Sequence, residues 1–339
     1  MPGHDIVVIG SSAGGLAALS GLASRLPGNL QAAVFMVWHI SPYQRSILPE
    51  VLNRAGTLPA AHAVDREPIA CGKIYVAPPD YHLVLEAGHV RLTKGPKENR
   101  FRPAVDTLFR SAAYAFGARV IGIVLSGALD DGTAGLWAIK DRGGIAVVQD
   151  PEEAEQASMP LSARQNVRVD YCLGIAQIAE ILPGLVEEPA LAKSAHPAAD
   201  ALRIETRVAL EENAPEHNVM RLGAPSIFTC PDCRGVLVQV DDGSPSRFRC
   251  HTRHAFSARS LLAGMNESAE SALWNTLRVL EEAIMLLEQM SESAKATGQY
   301  ELARLLADKI EDAKHQGDIL RKMTRSQSIA DIDHAPERN

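Results

Sequence analysis

IVVIGSSAGGLAAL, residues 6–19, is the stretch that decides the fold of this chain. Ile6–Ile9 is apolar at every position, which is typical of a strand buried on both faces. A glycine-rich turn follows, and a helical pattern then runs from Leu16 to Arg25. The turn holds two serines, Ser11 and Ser12. It either cradles the phosphates of a cofactor or exposes a serine as a nucleophile.

The same alternation of apolar strand and helical pattern continues to about residue 186. Strands that are apolar throughout and separated by helices predict a parallel sheet with helices on both faces, in an α/β domain. A hairpin, His82–Glu86 with His89–Thr93, interrupts the alternation. The other predicted strands are Ala33–Trp38, Lys73–Ala77, Val120–Leu125 and Ala146–Gln149, and the other predicted helices are Ser46–Asn53, Val105–Ala115 and Gly132–Asp141.

Composition narrows the classes of function. The chain has 339 residues, is 46% hydrophobic and carries a formal net charge of −7, which suits one or two globular domains. A net negative charge gives the chain no general electrostatic reason to bind nucleic acid or an anionic membrane. No apolar run is long enough to span a bilayer, and no signal peptide is recognisable, so we expect a cytoplasmic protein. Its five cysteines, an odd number, do not suggest a disulfide framework.

The opening turn departs from both common phosphate-binding loops. A dinucleotide site needs Gly-x-Gly-x-x-Gly and an acid after the second strand, but Ser12 replaces the middle glycine and His39 stands where the acid belongs. An oxidoreductase of the Rossmann type therefore ranks last, for want of the acid that binds the ribose. A Walker A loop needs a Lys-Ser/Thr pair, which is also missing here. Gly10–Gly14 instead fits Gly-x-Ser-x-Gly, an elbow that exposes a serine hydroxyl. A plain structural turn remains the alternative.

A serine nucleophile needs a base and an orienting acid. His39 ends the second predicted strand, and Asp130 and Asp131 follow the strand that ends at Leu125. Parallel strands deliver their carboxyl ends to one edge of the sheet, so these side chains and Ser12 are expected to meet there. Alternatively, His39 is a structural residue and one aspartate caps the next helix.

GSSAGG, WHISP and LSGALDDGTAG, in this order and spacing, resemble the catalytic domain of the chemotaxis protein-glutamate methylesterases (CheB type) over about residues 4–186. KIYVAPPDYHL, FRPAVDTLF and SMP at Ser158–Pro160 extend the match. The resemblance implies a triad of Ser12, His39 and Asp131, with Asp130 as the second choice for the acid. It also implies hydrolysis of glutamyl methyl esters on receptor helices, deamidation of glutamine, no catalytic cofactor, and a matching methyltransferase as a partner.

The chain also departs from the family pattern. Ala128-Leu129 stands where the family usually has Met-Gly, beside the triad. The receiver domain that precedes the catalytic domain in chemotaxis phosphorelay enzymes is expected to be missing, so regulation by phosphorylation in cis is not expected. A related ester or amide hydrolase with another substrate, or a signalling adaptor without catalysis, remains an alternative.

A cysteine-rich segment, FTCPDCRGVLVQVDDGSPSRFRCHTRHAFS, lies near the C-terminus. Cys230-x2-Cys233 and Cys250-x3-His254 flank a predicted hairpin, a spacing typical of a structural zinc site with four protein ligands. Reduced cysteines in a small β core are the alternative, and His251 is a competing fourth ligand. The family-like pattern after Cys250 favours His254. Cys71 and Cys172 are expected to be core residues.

These patterns divide the chain into a catalytic domain (1–186), a linker (187–225), a zinc module (226–257), a helical hairpin (258–325) and a disordered tail (326–339). A short alternating run, Leu202–Leu210, predicts an isolated strand within the linker. The two long helices, about Ala258–Lys295 and Gln299–Met323, either pack on each other or contact a second copy or a receptor helix.

Overall fold

A parallel sheet of seven strands organises the first part of the computed structural model, which describes residues 3–190, 200–211 and 219–325. Contacts divide the chain into two units, Met1–Leu261 and Leu262–Asn339. The sheet order is β3-β4-β2-β1-β7-β8-β9, and every pairing is parallel. Its strands are β1 (Ile6–Ser11), β2 (Ala33–Trp38), β3 (Ala60–His62), β4 (Lys73–Val76), β7 (Val120–Val124), β8 (Ile145–Gln149) and β9 (Tyr171–Leu173), and the predicted hairpin is β5 (His82–Glu86) with β6 (His89–Thr93).

Six helices cover the two faces of this sheet, as the alternation predicts. One face packs Val8, Phe35 and Val124 against the helices α3 to α5, and the other packs Val7 and Ile9 against α1, α2 and α6. The parallel sheet with helices on both faces is therefore confirmed. These helices are α1 (Gly15–Ala23), α2 (Leu48–Ala55), α3 (Val105–Phe116), α4 (Thr133–Asp141), α5 (Ser158–Asn166) and α6 (Ile175–Glu187).

The order of the strands locates a crevice at one edge of the sheet. The first strand, β1, lies in the middle of the sheet. The strands β2, β4 and β3 lie on one side of it, and β7, β8 and β9 lie on the other side. In open α/β sheets, ligands bind beyond the carboxyl ends of the strands where the order reverses in this way. Ser12, His39 and Asp131 follow β1, β2 and β7 at this edge.

The segment expected to be an isolated strand is a helix, α7 (Asp200–Ala209), so that expectation is wrong. Leu202 packs with the core of the parallel sheet, while Ile204 and Val208 pack with Val238 and Val240 further along the chain. Nine residues are too few to separate a helical pattern from strand alternation. The rest of the predicted linker falls partly on residues 191–199 and 212–218, outside the described residues.

The cysteine-rich segment folds as a four-stranded antiparallel sheet, β10-β11-β12-β13, within the first unit. We call residues 225–261 the C-terminal module; they comprise this sheet and the first residues of the helix α8. The strands are β10 (Pro225–Thr229), β11 (Val236–Gln239), β12 (Arg247–Cys250) and β13 (Ala255–Ser257).

Two long helices, α8 (Ala258–Ala296) and α9 (Tyr300–Arg325), form the predicted helical hairpin. Ala294, Ala303 and Leu306 pack near the turn, and Arg321 pairs with Glu281 at 2.8 Å, so the two helices pack against each other along their length. None of the helices in the described ranges is long and apolar enough to cross a membrane. The predicted disordered tail, residues 326–339, lies outside the described residues.

The two cysteines that were expected in the core have different surroundings. Cys172 is half-buried on the edge strand β9 and packs against the core of the sheet. Cys71 is exposed in the loop before β4, so its assignment to the core is wrong. A lone cysteine in a loop gives no periodic signal from which its burial can be predicted.

Candidate functional site

Ser12 lies in the turn between β1 and α1. Its backbone N–H donates to the carbonyl of Ser126 at 3.0 Å, and its own carbonyl accepts from the indole of Trp38 at 2.9 Å. A side chain at Gly127 would place its Cβ 2.9 Å from the Cβ of Ser12, so this glycine is required for the close approach of the two loops. Gly14, with φ of 71°, completes the turn in a backbone region that disfavours other residues. The turn thereby fixes Ser12 at the N-terminus of α1.

His39 follows β2, and its side chain is only 3% exposed. Its Nε2 lies 2.8 Å from Oδ2 of Asp131. Its Nδ1 is buried and has no hydrogen-bond partner among the described residues. The ring stacks on Phe101, with 3.8 Å between the ring centroids. With Nε2–H donating to the carboxylate, Nδ1 carries the lone pair that can accept a proton.

Asp131 is buried at the end of the loop after β7 and accepts hydrogen bonds at both oxygens. Oδ2 accepts from His39 and from the backbone N–H of Val105 at 2.7 Å, and Oδ1 accepts from Nδ2 of Asn99 at 2.8 Å. Burial raises the pKa of this carboxyl, but the hydrogen bond and charge of His39 and the bond from Asn99 outweigh it, so the net shift in pKa is downward. Asp131 therefore stays ionised beside His39.

A second carboxyl, that of Asp106, lies directly behind Asp131. Both accept from the amide of Asn99, which donates to Oδ2 of Asp106 at 2.9 Å. Burial, and next the negative charge of Asp131, raise the pKa of Asp106 to about 7. The pair thus holds one carboxylate that is firmly ionised and one that titrates near neutrality.

The loop after β7 contains a residue with an unusual backbone conformation close to the site. Leu129 has a φ of 61°, in the left-handed region that residues with a side chain rarely adopt. Such a conformation costs a residue other than glycine about 1 kcal/mol or more. Asp130, the alternative acid, accepts from the hydroxyl of Ser257 at 2.6 Å. The structure therefore brings Asp131, and not Asp130, against the imidazole of His39.

An open cleft of about 740 Å³ lies beside the turn that follows β1. Ser12 and His39 lie on it together, and Trp38 and Phe101 provide apolar walls. Its lining includes Lys97, Arg100, Arg102 and the acid Glu155, and Arg102 forms an ion pair with Asp80 at 2.6 Å. The cleft can admit a side chain from an acidic segment.

Sequence reasoning missed Asn99 and Phe101, which contact Asp131 and His39. Asn99 lies just before the FRPAVDTLF segment, and Phe101 is the first residue of that segment. Both lie in a loop with no periodic pattern. The signal that marks them is their place just before the helix α3, whose N-terminal amides bind Asp131.

The four predicted metal ligands come together in the C-terminal module. Sγ of Cys230, Cys233 and Cys250 and a ring nitrogen of His254 all lie within 4.8 Å of one another. The Cys233–Cys250 sulfur distance is 3.6 Å, and Nδ1 of His254 lies 3.5 Å from Sγ of Cys250. Ligands of a tetrahedral Zn²⁺ with Zn–S near 2.3 Å are about 3.7 Å apart, so the set fits that ion. His251, the alternative ligand, packs against the backbone of Gly235.

Three comparisons bear on this chain. The CheB methylesterase family model matches residues 7–182. A relative from Leptospira interrogans is 38% identical over 179 residues, which are 52% of this chain and 93% of the relative. The protein-glutamate methylesterase/protein-glutamine glutaminase of Pyrococcus abyssi is 34% identical over 191 residues, 55% of this chain and 52% of that protein. This chain therefore spans about half the length of the Pyrococcus relative.

A solved structure agrees with the sequence matches. The crystal structure of the Thermotoga maritima CheB methylesterase catalytic domain superposes with a TM-score of 0.53 at 35% identity. It covers 55% of this chain and all of the Thermotoga domain.

Proposed function

Because the chain belongs to the CheB methylesterase family, we propose that it is a serine hydrolase that removes methyl esters from glutamyl side chains of a signalling protein. The observation that carries this proposal is the 2.8 Å contact between His39 and Asp131 at the edge of the sheet where Ser12 lines the same cleft. Nucleophile, base and acid then come from the ends of three neighbouring parallel strands.

In this mechanism Nδ1 of His39 takes the proton of Ser12 as the hydroxyl oxygen attacks the ester carbonyl. Asp131 accepts from the opposite ring nitrogen, and its negative charge stabilises the imidazolium that forms. The N-terminus of α1, at which Ser12 stands, stabilises the negative charge on the tetrahedral intermediate. Methanol leaves, and a water molecule activated by His39 hydrolyses the acyl-enzyme.

The cleft supports an acidic helical segment as the substrate. Lys97 on the rim attracts neighbouring carboxylates, while Trp38 and Phe101 contact the methyl ester. We propose methylated receptor or signalling helices as the substrate class and a methyltransferase as the enzyme that supplies it. Glutamine deamidation at the same serine is part of the proposal, since an amide carbonyl presents the same electrophile. The five cysteines, all without disulfides, suit a cytoplasmic setting.

We propose Zn²⁺ as the ion held by Cys230, Cys233, Cys250 and His254. Four protein ligands leave no coordination position for water, so the ion stabilises the small C-terminal module and takes no part in the hydrolysis.

Labelling with a fluorophosphonate probe tests the proposal. The reagent should modify Ser12 in the wild type, and Ser12→Ala, His39→Ala and Asp131→Asn should each reduce the labelling. A methyl-esterified glutamyl peptide should then release methanol. Labelling without methanol release would favour a related ester or amide hydrolase. A folded, zinc-loaded protein that is never labelled would favour the adaptor.

A further inference from the structure

The side-chain amide of Asn99 links the proposed acid to the C-terminal module. Its Nδ2 donates to Asp131 at 2.8 Å and to Asp106 at 2.9 Å. Its Oδ1 accepts from the backbone N–H of Ser257 at 2.8 Å and from the hydroxyl of Ser260 at 3.0 Å. A primary amide has two N–H donors and two acceptor lone pairs, so all four positions are used.

The module and the ionised Asp131 impose the same orientation on this amide. The backbone N–H of Ser257 can only donate, so the oxygen of Asn99 must face it and the NH₂ group must face the carboxyls. Asp131 then receives an N–H from Asn99 at Oδ1, beside the backbone N–H groups of Asp106 at 3.2 Å and Gly132 at 3.0 Å, while Oδ2 faces His39.

Backbone contacts bind the Asn99 loop to β13 as well. The N–H of Asn99 donates to the carbonyl of Ala255 at 2.8 Å, and the N–H of Ala255 donates to the carbonyl of Lys97 at 3.3 Å. Asn99 itself has a φ of 49°, in the left-handed region that asparagine tolerates better than most residues. Phe101, which stacks on His39, lies two residues further along the same loop. The module thus supports the surroundings of both His39 and Asp131.

Buried charges strengthen this connection. Glu98 forms ion pairs with Arg110 of α3 and with Arg249 of β12, the latter at 2.6 Å. Arg249 also pairs with Glu205 of α7 at 3.1 Å. All four side chains are at most 4% exposed. A buried charge that loses its partner is strongly destabilising, so the loop and the module are held together as one body.

We propose that Asn99 is a positioning residue through which the C-terminal module fixes the orientation of Asp131 toward His39. This inference rests on the proposed function, in which Asp131 orients and charges the catalytic base. Asn99 touches no reacting atom and acts through Asp131. The module is therefore a part of the hydrolase site that lies outside the segment matched by the family model, residues 7–182.

Four variants of the full zinc-loaded chain test this inference: Asn99→Asp, Asn99→Ala, Ser260→Ala, and Asn99→Ala combined with Ser260→Ala. Asn99→Asp keeps an oxygen for Ser257 and Ser260 but removes the N–H group that donates to Asp131. Ser226→Ala is the matched control, because the Ser226 hydroxyl bonds within the module to the amide of Phe228. Circular dichroism and zinc content establish that each variant is folded.

Steady-state kinetics on a methyl-esterified glutamyl peptide give the first readout. Asn99→Asp and Asn99→Ala should lower kcat on the order of 100-fold, as misplaced catalytic groups do, with KM within about twofold. Ser260→Ala should lower kcat by about three- to tenfold, and the double variant should be no slower than Asn99→Ala alone. The Ser226→Ala variant should match the wild type. Wild-type kcat in Asn99→Asp, or additive losses in the double variant, would overturn the inference.

The downfield proton resonance of the His39–Asp131 hydrogen bond gives a second readout that needs no turnover. It should shift or broaden in both Asn99 variants and in Ser260→Ala, and stay unchanged in Ser226→Ala. An unchanged resonance in a folded Asn99→Asp protein contradicts the inference. Failure of the proposed function is distinct, since it appears as a wild-type protein whose Ser12 does not react with fluorophosphonate.

Discussion

The imidazole of His39 lies face to face with the ring of Phe101, with 3.8 Å between centroids and 8° between the ring planes. This stacking holds one face of the ring, while the contact with Asp131 holds one edge. Only the edge that carries Nδ1 remains for chemistry. The orientation of the proposed base therefore depends on a side chain that takes no part in proton transfer.

Replacing Phe101 by alanine should free this ring. Aromatic contacts contribute about 0.5–1.5 kcal/mol beyond the burial of surface, so we expect kcat to fall by roughly three- to tenfold. Steady-state kinetics of Phe101→Ala and Phe101→Leu provide the measurement. Phe228→Ala, which removes an edge-to-face contact with Phe248 inside the module, is the control. Equal kcat in Phe101→Ala and wild type would show that the stacking is dispensable.

The two adjacent aspartates should differ sharply. Asp131→Asn should lower kcat by about 10⁴-fold, because the wrong tautomer of His39 is then stabilised. Asp130→Asn retains an oxygen for the Ser257 hydroxyl and should stay within a few-fold of wild type. The ratio of the two kcat values, measured on the same ester, checks the assignment. A larger loss in Asp130→Asn would instead make Asp130 the acid.

The pH dependence of the unfolding free energy should reflect the raised pKa of Asp106. Its pKa lies at about 7 in the folded protein against an ordinary value of 3.8. Between these values the folded state keeps a proton that the unfolded state has released, so stability falls as pH rises. Asp131→Asn removes the neighbouring charge, which lowers the pKa of Asp106 and makes this fall shallower.

Urea unfolding at several pH values between 4 and 8 measures that slope. Asp130→Asn serves as the control and should keep the slope of the wild type. The comparison concerns slopes alone, since Asp131→Asn also loses hydrogen bonds that affect stability at every pH. Equal slopes of unfolding free energy against pH for wild type and Asp131→Asn would show that the charge of Asp131 does not raise the pKa of Asp106.

Gly127 tolerates no side chain beside Ser12. An added Cβ would lie 2.0 Å from the sulfur of Met159 and 2.9 Å from the Cβ of Ser12. Gly127→Ala should therefore lower the unfolding free energy by about 1–3 kcal/mol and slow fluorophosphonate labelling. Gly184→Ala in α6, where nothing lies within 4 Å, should instead raise stability by about 0.5–1 kcal/mol. Urea denaturation distinguishes the two signs.

Removal of the proposed zinc ion should reduce activity, although none of its four ligands lines the cleft beside Ser12 and His39. Chelation, or Cys233→Ser, should lower the melting temperature and kcat together, and added Zn²⁺ should restore both after chelation. Metal analysis and kinetics on the same samples provide the measurement. Cys71→Ser, at an exposed thiol, should change neither quantity. An unchanged kcat in a metal-free, folded protein would show that the site does not depend on the module.

The parallel sheet was predictable because its strands are buried on both faces and leave continuous apolar runs, such as Ala33–Trp38. The same topology allowed Ser12, His39 and Asp131 to be placed at one edge before any distance was known. Their catalytic roles remain predictions. The helix α7 was not predictable, because Leu202–Leu210 is too short a run for its pattern to distinguish a helix from a strand.

Asn99 escaped prediction for a different reason. Its bond to Asp131 spans 32 residues, and its bond to Ser257 spans 158. Neither contact leaves a periodic trace, since each depends on a loop held by a strand that comes much later in the chain. Only the folded arrangement reveals that the module and the carboxylate share one amide.

That arrangement has a consequence for the order of synthesis. A ribosome makes Ser12, His39, Asn99 and Asp131 well before it reaches Ser257 and Ser260. Domains generally fold in sequence as they emerge, so the parallel sheet can form while the amide oxygen of Asn99 still lacks both of its donors. On this view the nascent chain carries the proposed catalytic side chains but not their final alignment. Hydrolytic competence then arrives only after the C-terminal module has left the exit tunnel.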